Sequence, residues 1–280
     1  MNTTTGTATG TITKLEKGPY TIHSYLSPES AEMVCTQIIE TPSSLVVVDA
    51  QLLRSQALEV KSYIESLGKP IHKFIISHCH PDHWAGLEVF PDAPVYARSE
   101  TIFEIQNYGQ GMLDSKTPQF GDAVTKVITM PTNVLDIESE ELDGLQLNYV
   151  KLTDTESVYS VMIKIPQLKV LIAQDTVYNG VYPYFGDRDY YTKAYCFDTW
   201  TAILEELKAE GYEVIFPGHG LPTDASALDR MIDYLSFVKL TVLSTTDGNE
   251  MISKIMTHYP GYKIPDMLYL SSFMLYNAQG

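Results

Sequence analysis

Apolar and polar positions along the chain follow two periods, and the chain switches repeatedly between them. Runs rich in β-branched and apolar residues at 21–25, 33–40 and 44–48 predict strands, with Pro42 and Ser43 turning the chain between the last two. Leu58, Val60, Ile64 and Leu67 recur at helical spacing, so a helix is expected over 56–67, capped by Ser55 and closed by Gly68 and Pro70. Further strands are expected at 74–77, 94–97, 124–130, 145–150, 158–165, 170–173 and 214–216. Helices are expected from Ser99 to Gln106 and from Asp198 to Gly211. Residues 109–121 carry no strong period and read as a loop, and 138–143 as an acidic turn. From about residue 225 the pattern is helical, with one stripe of Met231, Tyr234, Leu235 and Val238 and another of Ile252, Ile255 and Met256. Strands interleaved with helices predict an α/β fold. The Met-rich stripes suit a core or a homodimer contact better than a cofactor box.

The chemistry concentrates at His78-Cys79-His80-Pro81-Asp82-His83, where the strand at 74–77 ends. On extended backbone His78 and His80 point the same way and Cys79 points away. Pro81 stops the strand, and Asp82 and His83 follow on a turn. Three of the chain's seven histidines fall in this hexapeptide, a density that neither solvation nor packing explains. Imidazole and carboxylate together suit a borderline ion such as Zn²⁺.

This hexapeptide, with Val170-Leu171-Ile172-Ala173-Gln174-Asp175 and Ile215-Phe216-Pro217-Gly218-His219-Gly220, resembles the signature of the metallo-β-lactamase superfamily over roughly residues 20–222. The resemblance implies a four-layer αβ/βα sandwich, two mixed sheets with helices outside. It implies two Zn²⁺ per chain, with iron or manganese as alternatives. His78 and His80 would serve one ion, Asp82, His83 and His219 the other, and Asp175 would bridge. Asp82 would also orient the nucleophile or carry its proton. The chain departs from the family pattern where a third histidine usually stands, because no histidine lies between His83 and His219. Asp154 occupies the expected place and is taken as the ligand, with Glu156 as the other candidate. Asp49 is expected to be structural. The implied activity is hydrolysis by metal-activated water of an ester, lactone, thioester or amide of a small molecule. An iron-containing redox enzyme and a non-catalytic metal-binding protein are the alternatives.

Loops beside a site often carry specificity. The Tyr-dense stretch after Asp175 offers Tyr178 first, then Tyr182, for contact with substrate. The formal charge of −16 repels phosphate backbones and gives no help at an anionic membrane, so nucleic acid and membrane are not expected partners. Three scattered cysteines imply no disulfide framework. Residues 1–16 read as a disordered lead-in and 17–280 as a single domain ending in helices. The start has no signal-peptide pattern, which points to the cytoplasm; a periplasmic or secreted protein stripped of its signal peptide would look the same.

Overall fold

The computed structural model describes residues 9–277. The first sheet orders its strands in sequence: β1 (Thr11–Lys17), β2 (Tyr20–Leu26), β3 (Cys35–Glu40), β4 (Leu45–Val48), β5 (Ile71–Ile75), β6 (Val95–Ala97) and β7 (Asn133–Val134). β1 to β4 pair antiparallel, and β4 to β7 pair parallel through helical crossovers. The second sheet has the order β12-β11-β10-β9-β8, from β8 (Ser139–Leu142), β9 (Leu145–Thr153), β10 (Tyr159–Ile165), β11 (Val170–Tyr178) and β12 (Val214–His219). Only its last pair, β11 and β12, is parallel. Both sheets are therefore mixed, as expected.

Three apolar clusters lie between four layers. The period of two in β4 sends Val46 and Val48 to the cluster between the sheets, where they share a core with Tyr149, Ile163, Ile172 and Phe216. Leu45 and Val47 face the other way, onto α1 (Arg54–Ser66), α2 (Pro81–Trp84) and α3 (Ser99–Phe120). The outer face of the second sheet is covered by α4 (Phe197–Glu210), α5 (Ser226–Ser244), α6 (Gly248–His258) and α7 (Asp266–Ser272), followed by a π-helical turn at Phe273–Asn277. Met231, Met251 and Met267 are buried there as core.

Several expected boundaries change. Residues 1–8 of the expected lead-in lie outside the described residues. Its remainder is shorter than expected, because residues 11–17 form β1, an edge strand paired to β2 through a turn at Gly18 (φ +62°). Edge strands need main-chain pairing more than apolar composition, so β1 is weakly marked in sequence. The stretch expected as a loop at 109–121 is mostly the second half of α3. Its buried stripe runs Thr101, Ile105, Gly109, Leu113, Lys116, and neither Gly109 nor Lys116 registers as apolar. The strand expected at 124–130 reduces to a single bridge at Val124. The acidic turn at 138–143 is mainly β8, turned into β9 at Asp143 and Gly144.

The two sheets meet at one end. An isolated bridge joins His78, just past β5, to Ser160 of β10, and another joins Val34, just before β3, to His219 of β12. Gly86 sits under this end. A Cβ there would lie 2.1 Å from the Ala50 carbonyl oxygen and 2.6 Å from the Ala57 Cβ. Gly86→Ala is expected to cost about 1–3 kcal/mol of stability, the usual range for overpacking. A urea midpoint within error of the parent would show that this backbone approach can relax.

Candidate metal centre

Strands, one helical turn and one loop bring the donors to the junction of the sheets. β5 leads into His78 and His80, the single turn of α2 holds Asp82 and His83, β11 carries Asp175, and β12 ends on His219. Glu156 comes from the turn between β9 and β10. The donors fall into two adjoining groups. In the first, His78 Nε2 lies 3.1 Å from His80 Nδ1 and 3.5 Å from Glu156 Oε2, and His80 Nδ1 lies 2.9 Å from Glu156 Oε1. In the second, His83 Nε2 is 3.3 Å from both Asp82 Oδ2 and Asp175 Oδ1, and His219 Nε2 is 3.2 Å from Asp82 Oδ2 and Asp175 Oδ2. Ligands bonded at about 2.0–2.2 Å in a tetrahedron stand roughly 3.3–3.6 Å apart, so the spacing suits a shared cation. The buried atoms His83 Nε2, His219 Nε2, Asp175 Oδ1 and Glu156 Oε2 have no hydrogen-bond partner. Such orphans are costly unless something else satisfies them, and a metal ion does so.

The outer nitrogens of the same imidazoles are anchored. His83 Nδ1 donates to Asp49 Oδ2 at 2.8 Å. Ser77 Oγ donates to the same oxygen at 2.7 Å and lies 2.9 Å from His78 Nδ1, which donates to it in turn. His219 Nδ1 donates to the Glu32 carbonyl oxygen at 2.9 Å. His80 Nε2 lies 3.4 Å from Asp187 Oδ2. The rings of His78, His83 and His219 are thereby held in the tautomer that turns a bare nitrogen to the centre, the arrangement that metal-binding histidines use, and His80 is faced by the Asp187 carboxylate. Gly218 is required here, since a Cβ would sit 1.7 Å from Asp175 Oδ1.

The electrostatics follow from burial and proximity. Burial would lower the His83 and His219 pKa values, but the carboxylates of Asp175 and Asp82 overcome it, lifting His83 well above its ordinary value and His219 to about 10. The Asp175 carboxyl is held well below its usual range by His83 and His219, against burial. Glu156 is pushed up to about 7 by burial, with His80 opposing. Without a cation this centre shares protons between imidazoles and carboxylates, and a metal ion would displace them.

Six of the seven residues expected as ligands, His78, His80, Asp82, His83, Asp175 and His219, lie together in these groups. Asp154 does not, and this is a correction: the third member of the His78 and His80 group is Glu156. Asp154 adopts a left-handed turn conformation (φ +55°), with its amide donating to Val158 O at 3.0 Å, and belongs to none of the donor groups among the described residues. Burial and the Asp189 charge raise its pKa. Tyr178, expected to contact substrate, lines the cavity, stacked on His219 with ring planes 2° apart, and its hydroxyl donates to Asp175 Oδ2 at 2.6 Å. Tyr182 does not reach the site. It is buried in the helical core and donates to the Tyr259 carbonyl oxygen at 2.8 Å. Tyr184 takes its place, edge-on to His80 and hydrogen-bonded to Asp187 at 2.7 Å. Sequence reasoning also missed Glu32, Ser77, Gln174 and Asp187 as supports. Only Ser77 and Gln174, adjacent to ligands, carried any local signal.

His80, Asp82, Glu156, Asp175 and His219 line the floor of an open cavity of about 480 Å³, with His78 and His83 behind them. No helix among the described residues is long and apolar enough to cross a membrane.

A family model described as the metallo-beta-lactamase superfamily matches residues 36–219, which holds every donor named above. A search of curated proteins gave no match. Among solved structures, a metallo-beta-lactamase from Pontibacter korlensis is 19% identical with a TM-score of 0.62, over 81% of this chain and 99% of that one. The DIM-1 metallo-beta-lactamase exposed to ceftazidime is 16% identical with a TM-score of 0.59, over 83% and 99%. The structure of VMB-1 is 16% identical with a TM-score of 0.59, over 84% and 100%. At these identities the likeness is one of fold.

The contrast between Glu156 and Asp154 is directly testable. Glu156→Ala is expected to weaken transition-metal binding by at least about tenfold, since even outer supports of a metal site cost that much. Asp154→Ala should leave it nearly unchanged. Titration against a chelator reads both, and the reverse order would restore Asp154 as the ligand.

Proposed function

The chain belongs to the metallo-beta-lactamase superfamily, a metal-dependent hydrolase in general terms, and on that premise we propose a binuclear zinc hydrolase acting on an ester, lactone, thioester or amide of a small molecule. The observation that carries the reading is the convergence of unsatisfied buried donors at the junction of the sheets, five of the seven donors lining one cavity. His78, His80 and Glu156 would hold one ion, and Asp82, His83 and His219 the other. Asp175, within reach of His78, His83 and His219, would be shared between them. When bound, a pair of divalent ions supplies Lewis acidity and water made acidic enough to ionise near neutral pH.

The chain's own residues do the rest. Asp82 and Asp175 lie at the cavity floor, where a carboxylate oxygen can hold a proton moving between water and leaving group. Tyr178 keeps Asp175 in place through its hydroxyl and lies 3.4 Å from Glu156 Oε1, so it ties the two donor groups together. Tyr184 and Asp187 hold the His80 ring from outside. Three carboxylates among the seven donors also suit iron or manganese, and this favours keeping an iron redox enzyme as the second reading.

The metal-loaded protein is expected to carry close to two zinc ions per chain by elemental analysis. His80→Ala and His219→Ala should each abolish turnover of an activated ester while leaving the circular dichroism spectrum unchanged. Full turnover in either variant contradicts the proposal, and bound iron without hydrolysis of any ester favours the redox reading.

A further inference from the structure

The cavity above the donors has a wall of a different character from its floor. Tyr108 and Met112 from α3, Met267 and Leu270 from α7, and Phe273 and Met274 from the π-helical turn present mainly apolar surface. Tyr108, Phe273 and Met274 are exposed at its rim. Apolar surface of this extent, continuous with a polar floor, is a binding feature rather than a packing defect. Three of the six wall residues are methionines, whose flexible thioethers adapt to an unbranched chain. α7 and the π-helical turn lie beyond residue 219, where the family match ends.

The charge balance of the cavity limits what the reacting end of a ligand can carry. Among the described lining residues the only lysine or arginine is Lys116. It is buried and bonded to both carboxylate oxygens of Glu32, at 2.7 and 2.8 Å, so it has no unpaired charge to offer an anion. Asp82, Asp175 and Glu156 offset three of the four charges that two divalent ions would bring, and Asp187 beside His80 offsets the fourth. Glu156 itself contributes one negative charge that a histidine there would not. With the buried Asp49 carboxylate behind His83, the site would carry no net positive charge, and an anionic group on the substrate would find no cation.

We propose, resting on the hydrolase reading above, that the substrate is an uncharged carboxylic ester with a medium-length alkyl acyl chain, its carbonyl over the donor groups and its chain along the wall of α3, α7 and the π-helical turn. Hydrolysis consumes one water. The acyl C–O bond breaks, hydroxyl is added to the acyl carbon, and the proton ends on the leaving alcohol oxygen.

The test is a chain-length series on the full metal-loaded protein: p-nitrophenyl acetate, butyrate, hexanoate and octanoate, with octyl sulfate and the carboxylate-bearing β-lactam nitrocefin alongside. A chain buried in the wall gains up to about fourfold per methylene, so kcat/KM should rise at least about tenfold from acetate to octanoate. Leu270→Asp and Met274→Asp, both at positions outside the closed core, should bring the octanoate-to-acetate ratio close to one. Octyl sulfate and nitrocefin should be turned over more slowly than the octanoate ester. A flat series overturns the chain pocket while leaving the hydrolase reading intact, as does a preference for either anion. No turnover of any of these compounds overturns both.

Discussion

A single buried carboxylate, that of Asp49, ties the two sheets to the donor cluster. It is fully buried and accepts from the Ser77 amide at 2.8 Å, the Ser77 hydroxyl, His83 Nδ1 and the Gln174 side-chain amide. Ser77 follows a strand of the first sheet, and Gln174 lies within a strand of the second. A buried charge is tolerated only when its acceptor capacity is filled, and here filling it requires both sheets to be in register with the hexapeptide. Asp49 (φ +67°), Gln174 (φ +46°) and Glu32 (φ +66°) all adopt left-handed backbone. Each such residue costs about 1–2 kcal/mol. That strain gathers around the donors, where these hydrogen bonds hold it. Removal of the Asp49 carboxylate would free the tautomers of His83 and, through Ser77, of His78.

Part of this was legible in sequence because it is local. His78, His80, Asp82 and His83 are close enough along the chain that strand geometry and a proline place them; His219 closes β12, whereas Asp175 sits inside β11, which runs on to Tyr178 past the strand expected at 170–173. The sandwich itself was read from resemblance, since alternating strands and helices allow other α/β folds. Glu156 was not resolved from Asp154 because both are carboxylates in one short turn. Asp154 takes a left-handed conformation in that turn while Glu156 faces the histidines, and neither periodicity nor composition encodes this. Tyr182 and Tyr184 were inseparable for a similar reason: the segment holding them is irregular, so no period assigns one to the core and the other to His80. The second half of α3 was hidden because its buried stripe passes through Gly109 and through Lys116, which is buried by pairing with Glu32.

The substitution of a carboxylate for an imidazole shapes the chemistry. As a ligand, Glu156 would add a negative charge to the first donor group where an imidazole adds none, which would weaken Lewis acidity there and lower the attraction for anionic substrates. Tyr178 spans the two groups, and the apolar wall above them supplies the surface that a neutral, lipophilic ligand needs. On the proposed reading, the floor would polarise a carbonyl and the wall would take hydrocarbon.

The account stands or falls on Glu156 as a ligand beside His78 and His80. Anomalous diffraction at the metal absorption edge, on crystals grown with zinc, measures this directly. The expected result is an anomalous peak about 2.0–2.2 Å from His78 Nε2, His80 Nδ1 and a Glu156 carboxylate oxygen. A peak bonded instead to Asp154, or no peak beside His78 and His80 in zinc-soaked crystals, would contradict it.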